Sequence, residues 1–191
     1  MKKIACLLGS PRSGGNSDTI ARKIMETAEA KGASADIFAL CNMNFKGCCA
    51  CLACKKGLDK CAMQDDLTTA LDSIREADIL IIASPVYFGQ VTGVMKMAID
   101  RMYSFLDAGY LTGGKRTRLA DGKKCVFVLT QAAPADVFPH AYTDYEGFFG
   151  PDWFGYEMHQ IRGLGLSKPT DAGENAELMQ QAEELGRKLM A

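Results

Sequence analysis

The sequence predicts an α/β protein, a doubly wound five-stranded parallel sheet with helices on both faces. Three observations lead there. Strand-like and helix-like runs alternate from one end of the chain to the other. The run ADILIIAS, Ala77 to Ser84, is apolar on both faces, as a central parallel strand is. The alternation yields five βα units within 191 residues, enough for one domain, 1–191, with a full-sized core.

Each element has its own justification. KKIACLLG (Lys2 to Gly9) is a short apolar run closed by a turn signal, and reads as strand one. Ser17 and Asp18 start a helix in which Ile20, Ala21, Ile24, Met25 and Ala28 keep helical spacing, with Gly32 as its stop. ADIFAL (Ala35 to Leu40) is strand two, and a cysteine-rich segment follows. Asp65 or Asp66 caps a helix carrying Leu67, Ala70, Leu71 and Ile74 on one face. After strand three, Val94 to Leu106 reads as helix, and KCVFVLT (Lys124 to Thr130) as strand four. Ala132 to Gly155 is rich in aromatics, Gly and Pro and reads as a loop with one short helix. Glu157 to Leu164 is strand five, and Asn175 to Met190 is a final helix with Leu178, Ala182, Leu185 and Leu189 inside. For a five-stranded sheet of this size, the flavodoxin-like order 2-1-3-4-5 fits best.

Composition excludes several classes. Hydrophobic residues are 48% and charged residues 24%, both ordinary for a globular domain. A net charge of −1 gives no basic field for nucleic acid or anionic membrane. No run approaches the ~20 apolar residues of a membrane span, and Ile4 to Leu8 is too short for a signal-peptide core. The expected location is the cytoplasm, where eight cysteines point to metal ligands or redox thiols rather than disulfides.

Ligands of open α/β sheets bind beyond the carboxyl ends of the strands. The first such loop, GSPRSGGNSDT, lacks the lysine of a Walker loop and the spacing of a dinucleotide fingerprint. It offers instead the hydroxyls and amide of Ser10, Ser13, Asn16, Ser17 and Thr19, the charge of Arg12 and a helix N-terminus, a set suited to one terminal phosphate such as that of FMN. An ordinary capped turn is the alternative. After strand three, SPVYFGQVTG sets Pro85, Val86, Tyr87 and Phe88 beside Gly89 and Gly93, a platform for a flat ring, with a sheet-capping core role for the aromatics as the alternative. The cysteines Cys48, Cys51, Cys54 and Cys61 read C-x2-C-x2-C-x6-C, a spacing that can wrap one metal centre.

GSPRSGGNS, the CxxCxxC segment leading to QDDL, and SPVYFGQVTGVMKMAIDR together resemble the NAD(P)H-dependent FMN reductase group of flavodoxin-like proteins, over roughly residues 2 to 131. The fuller cysteine pattern is similar to the iron–sulfur flavoproteins within that group. The resemblance implies FMN held by Ser10, Arg12, Asn16 and Ser17 at the phosphate and by Pro85 to Gly89 at the ring, with the loop from Thr130 and Gln131 closing the site. It also implies a homo-oligomer, a dimer or tetramer, and a [4Fe–4S] cluster on Cys48, Cys51, Cys54 and Cys61. Zinc would accept the same thiolates but lacks its paired, widely separated knuckles here; bare or redox-active thiols are the stronger alternative. The loop leaves strand two beside strand one, so its thiols are expected to start on the ligand side of the sheet.

The remaining candidates are weaker. Cys6 and Cys125 fall in strands and read as buried apolar groups. Cys41 and Cys49 have no assigned role. Lys115, Arg116 and Arg118 offer a contact for a nicotinamide phosphate, or a solvated loop or oligomer contact. His140 and His159 form no triad with a serine, and no catalytic side chain is needed where a flavin carries the chemistry. The function expected is electron transfer from NAD(P)H or a protein donor, through FMN and the cluster, to a small-molecule or protein acceptor; the alternatives are a cluster-free quinone, nitro-compound or flavin reductase and a non-enzymatic electron carrier.

Overall fold

The chain is described by a computed structural model covering residues 1–113 and 116–191. Five parallel strands form one sheet in the order β2-β1-β3-β4-β5, as predicted. They are β1 (Lys3–Leu8), β2 (Ser34–Ala39), β3 (Ile79–Pro85), β4 (Lys124–Thr130) and β5 (Glu157–Gly163). The helices are α1 (Asn16–Glu29), α2 (Leu67–Glu76), α3 (Gly93–Arg101), α4 (Thr143–Phe149), α5 (Asp171–Glu174) and α6 (Ala176–Met190).

Strand alternation divides the core in two. Ile4, Cys6, Ile81 and Val126 face α1 and α6 through Ile20, Ile24, Ala182 and Leu189. Ala5, Leu7, Ile82 and Phe127 face the other way, against Leu67 and Ile74 of α2, Met95 and Ala98 of α3, and Phe149 of α4. The α1–α6 contact is close enough to require Gly186, where a Cβ would stand 2.7 Å from the Ile24 carbonyl oxygen. Cys6 and Cys125 are fully buried, and burial raises both thiols far above the ordinary range.

The helix ends have local causes. The α-helix after β3 ends at Arg101 and continues as a 3₁₀ turn over Met102–Phe105, because the Ser104 hydroxyl bonds the Arg101 carbonyl at 3.0 Å. Asp66 stands at the N-cap of α2 but makes no cap bond; it accepts from the Asn44 N–H at 2.6 Å, and Asp65 accepts from that of Lys46 at 3.3 Å. The acidic pair thus ties down the start of the cysteine segment. Asn175 caps the last helix, accepting from Leu178 N–H at 3.0 Å, so the helix proper starts at Ala176.

Candidate functional site

A cleft of about 230 Å³ opens beyond the carboxyl ends of β1, β3 and β4. Its first wall is the β1–α1 loop. There the buried Asp18 carboxylate accepts from the Gly14 N–H at 2.7 Å and from Arg22 Nε at 2.8 Å, which fixes a turn with Gly14 at φ +69°. The Ser10 hydroxyl oxygen accepts from the Arg12 N–H at 3.1 Å. Arg12 itself is exposed, and among the described residues its guanidinium has no hydrogen bond or ion pair. The first turn of α1 adds N–H groups that no intrahelical carbonyl accepts. An exposed cation beside a helix N-terminus is an arrangement that favours an anion.

Of the residues predicted for this site, Ser10, Arg12, Asn16, Ser17, Pro85, Val86, Tyr87, Thr130 and Gln131 line the cleft together. Thr19, Phe88 and Gly89 do not. The Thr19 hydroxyl turns back to the Gly14 carbonyl at 3.3 Å. Tyr87 and Gln90 exchange backbone hydrogen bonds of 2.8 and 3.1 Å, with Phe88 and Gly89 between them at φ +51° and +82°. Two positive φ values make this a tight primed turn, and it carries Phe88 out into solvent, fully exposed.

Two of the cleft residues act as fasteners. Asn16 donates from its amide to Lys168 O at 2.8 Å and accepts from Ala172 N–H at 2.9 Å, so both ends of its side chain hold the β5–α5 loop against α1. That brings in Leu166, Ser167 and Pro169, which the sequence reading missed together with Gly15 and Ala132. Their signal was their place after a strand's carboxyl end. Gln131 donates to Ala133 O and Pro134 O at 3.1 and 2.8 Å and accepts from Arg162 at 2.8 Å, which shapes the β4–α4 loop.

The cysteine segment lies elsewhere. Cys41 remains near the cleft, its Sγ 3.9 Å from Gly9 O. From there the chain runs along α3, with Gly47 against Met97, to the far end of that helix. Cys48, Cys49, Cys51, Cys54 and Cys61 line one shallow depression of about 20 Å³ with Arg101, Tyr103 and Ser104. All five are free thiols. Thus Cys41 lies on the ligand side, whereas Cys48, Cys51, Cys54 and Cys61, which the strand order led one to expect there, stand at the other end of α3.

Side chains from outside the segment set its shape. Arg101, with its side chain fully buried, donates from Nε to Cys61 Sγ at 3.1 Å and pairs with Asp65 at 2.8 Å. Arg118 donates to Cys54 O and Ser104 O, each at 2.9 Å. Lys55 donates to Tyr103 O at 2.7 Å, and its ammonium stands 4.2 Å from the Tyr103 ring centroid. Burial draws the Lys55 ammonium below its ordinary range. Arg118 therefore serves the cysteine segment. Arg116 bonds Asp152 O at 2.7 Å and lies over Trp153, and Lys115 falls outside the described residues.

The segment suits a soft metal centre in its donors. Ala50 and Leu52 adopt left-handed conformations, φ +53° and +58°, a strain of about 1–3 kcal/mol each. In return the Ala53 N–H meets Cys51, and with the Cys49 thiol draws the Cys51 thiol below its ordinary range. Among the described residues, however, no three ligating side chains stand close enough to hold a metal ion.

A larger cavity of about 470 Å³ lies on the outer side of α3, between Tyr103, Tyr110, Tyr145, Phe148 and Trp153. Its one lysine, Lys96, is paired with Asp100 at 2.6 Å, and no loop at the carboxyl end of β1 lines it, so the smaller cleft is the better flavin candidate despite its size.

Comparison with known proteins bears on the family and the fold. An iron–sulfur flavoprotein of Methanocaldococcus jannaschii is 34% identical over 99 residues, 52% of this chain and 51% of that protein. One from Archaeoglobus fulgidus is 37% identical over 99 residues, 52% of this chain and 48% of the other. The chain thus spans about half the length of these relatives. An FMN-dependent NADH-azoreductase from Bacillus anthracis superposes over 100% of both chains with a TM-score of 0.73 at 13% identity. An NAD(P)H:quinone oxidoreductase from Methanothermobacter marburgensis does so over 99% of this chain and 96% of its own, with a TM-score of 0.71 at 16% identity. At such identity the structural likeness speaks for the fold. Residues 2–136 match the family described as NADPH-dependent FMN reductase, and the chain belongs to that family.

Proposed function

We propose that this protein is an FMN-dependent oxidoreductase that passes electrons between NAD(P)H or a protein donor and an acceptor. The observation that carries the reading is the cleft at the strand ends, where the unpartnered Arg12 guanidinium stands beside the open first turn of α1. Bound FMN would supply the hydride and single-electron chemistry. Arg12 and the α1 N–H groups would neutralise its phosphate. Pro85, Val86 and Tyr87 would form the wall for its ring, and Thr130, Gln131 and Ala132 would exclude water from the other side. Asn16 and Gln131 would hold the two flanking loops in place. One phosphate site without a dinucleotide fingerprint favours FMN over FAD.

Cys48, Cys51, Cys54 and Cys61 would hold a [4Fe–4S] cluster, supported by their shared depression, the N–H group at Cys51 and the names of the relatives. A second reading, a cluster-free quinone or nitro-compound reductase with bare thiols, is favoured by the absence of a converged ligand set among the described residues. The test is anaerobic purification, chromatography of the extracted flavin, and NAD(P)H oxidation with a dye acceptor. Recovery mainly of FAD, or no turnover at full FMN occupancy, contradicts the reading.

The expected setting is cytoplasmic, with a homodimer or homotetramer as the assembly. No helix among the described residues is long and apolar enough to cross a membrane.

A further inference from the structure

Phe88 is fully exposed, on a turn that makes its exposure costly. The primed turn from Tyr87 to Gln90 takes Asn or Gly most readily at its first central position. Here that position is Phe88 at φ +51°, a strained conformation for a bulky side chain. The turn is also fastened. The Gln90 amide donates to Asp144 Oδ2 at 3.1 Å and its side-chain carbonyl accepts from the Tyr145 hydroxyl at 2.8 Å, which ties the turn to α4. A lone exposed aromatic ring is ordinary. A ring held in water by a strained and fastened turn is not explained by this chain alone.

The same Gln90 lines the larger cavity, of about 470 Å³, between α3 and α4. Tyr110, Phe148 and Trp153 form its aromatic wall, with the Trp153 ring centroid 5.8 Å from that of Tyr110 and 5.7 Å from that of Phe148. Phe148 and Leu111 stand exposed at its rim. A cavity of about 150 Å³ already holds benzene, so a phenyl ring fits. The charges that line it are met: Lys96 pairs with Asp100 at 2.6 Å, and Asp144 accepts from Gln90 at 3.1 Å. A knob and a hole thus lie side by side on one face, joined by one turn. A two-fold interface needs such a patch, since each copy must give what it receives.

We propose that a second copy of this chain docks on the α3–α4 face about a two-fold axis, with Phe88 of each copy seated in the aromatic cavity of the other. This docking deepens the homo-oligomer reading above and rests on it. Aromatic anchors in desolvated pockets dominate the energetics of such interfaces. A small aromatic ligand would fill the cavity but leave the exposed ring and its strained turn unexplained.

The experiment is sedimentation equilibrium of the full chain with FMN bound, as wild type, Phe88→Asn and Phe148→Glu. Asparagine suits the positive φ and removes the knob; glutamate sets a charge in the mouth of the cavity. FMN content and circular dichroism are the fold controls. The expected result is self-association weakened roughly 100-fold or more in each variant, as for loss of an interface hot spot, with FMN content kept. Mixed in equal amounts, the two variants should form a heterodimer tighter than either homodimer, because the cavity of the first still accepts Phe88 of the second. Wild-type association in Phe88→Asn, or no gain on mixing, overturns the proposal and leaves a homo-oligomer with another interface. If Phe148→Glu fails to fold, Phe88→Asn decides alone. A wild type that stays monomeric overturns both readings.

Discussion

The two ends of α3 carry two different kinds of site. At its N-cap Thr92 donates from its hydroxyl to Gly9 O at 2.8 Å and from its N–H to the Ser84 hydroxyl oxygen at 3.0 Å, so the strand-end cleft is built by short bonds between neighbouring loops. At its last turn Arg101 gathers a segment that is in neither helix nor strand apart from one 3₁₀ turn, Ala53–Lys55. The helix separates them by about 12 Å, at ~1.5 Å rise per residue. A site made of strand ends takes its shape from the sheet; a site made of irregular chain takes it from a few long side chains. The first should tolerate loss of one contact, and the second should not.

The largest effect expected is on the irregular site. Cys51→Ser should abolish iron uptake on anaerobic reconstitution and leave FMN affinity unchanged, because the two sites share no side chain. Loss of FMN together with iron would break the separation. Arg12→Ala should do the reverse. A charge-assisted phosphate contact contributes about 1.5–3 kcal/mol, so calorimetry should show FMN binding weakened roughly 10- to 150-fold with iron content kept.

Asn16→Ala sharpens the difference between a ligand contact and a fastener. Two hydrogen bonds are lost, about 0.5–1.5 kcal/mol each. The expected outcome is lower urea stability and faster amide exchange in Leu164–Ala172, with a smaller loss of FMN affinity than in Arg12→Ala. An equal loss would make Asn16 a phosphate ligand.

Acid should act on the cysteine segment first. Burial alone would raise the Asp65 carboxyl, but the hydrogen bonds from Arg101 and Lys46 N–H outweigh it and hold it below its ordinary range. Its folded value lies under the unfolded one of about 3.9. The stabilisation is therefore complete above that pH and lost as pH falls through the folded value. Hydrogen exchange over Asn44–Asp66 should be unchanged from pH 7 to 5 and rise below about 4, ahead of β1 and β3. Simultaneous opening of the strands would show that Asp65 does not single out the segment.

The smallest effect belongs to Phe88. Fully exposed and outside the cleft, it should change FMN affinity by under ~0.5 kcal/mol when replaced by alanine. A larger loss would return it to the ring platform.

How far the sequence could be read follows the same division. The strand order and the cleft were legible because a strand apolar on both faces, a glycine- and hydroxyl-rich loop and a helix start are all local signals. The exit of Phe88 was not, because it depends on a turn whose two positive φ values no flanking residue announces. Asn16 was placed on the cleft, but its tie to the β5–α5 loop was not legible, since those partners lie 152 and 156 residues away. The cysteines were visible as a spacing. Their location at the far end of α3 was not, because it is set by Arg101 reaching 40 residues back to Cys61 and Arg118 reaching 64 back to Cys54.

The proposed function sets a flavin at one end of α3 and a redox-metal site at the other. Its most direct test is the visible spectrum, flavin content and iron content of the wild-type protein after anaerobic reconstitution. The account predicts one FMN and about four irons per chain, with cluster absorbance beneath the flavin bands. A yellow protein with full FMN and no iron under the same conditions would contradict it.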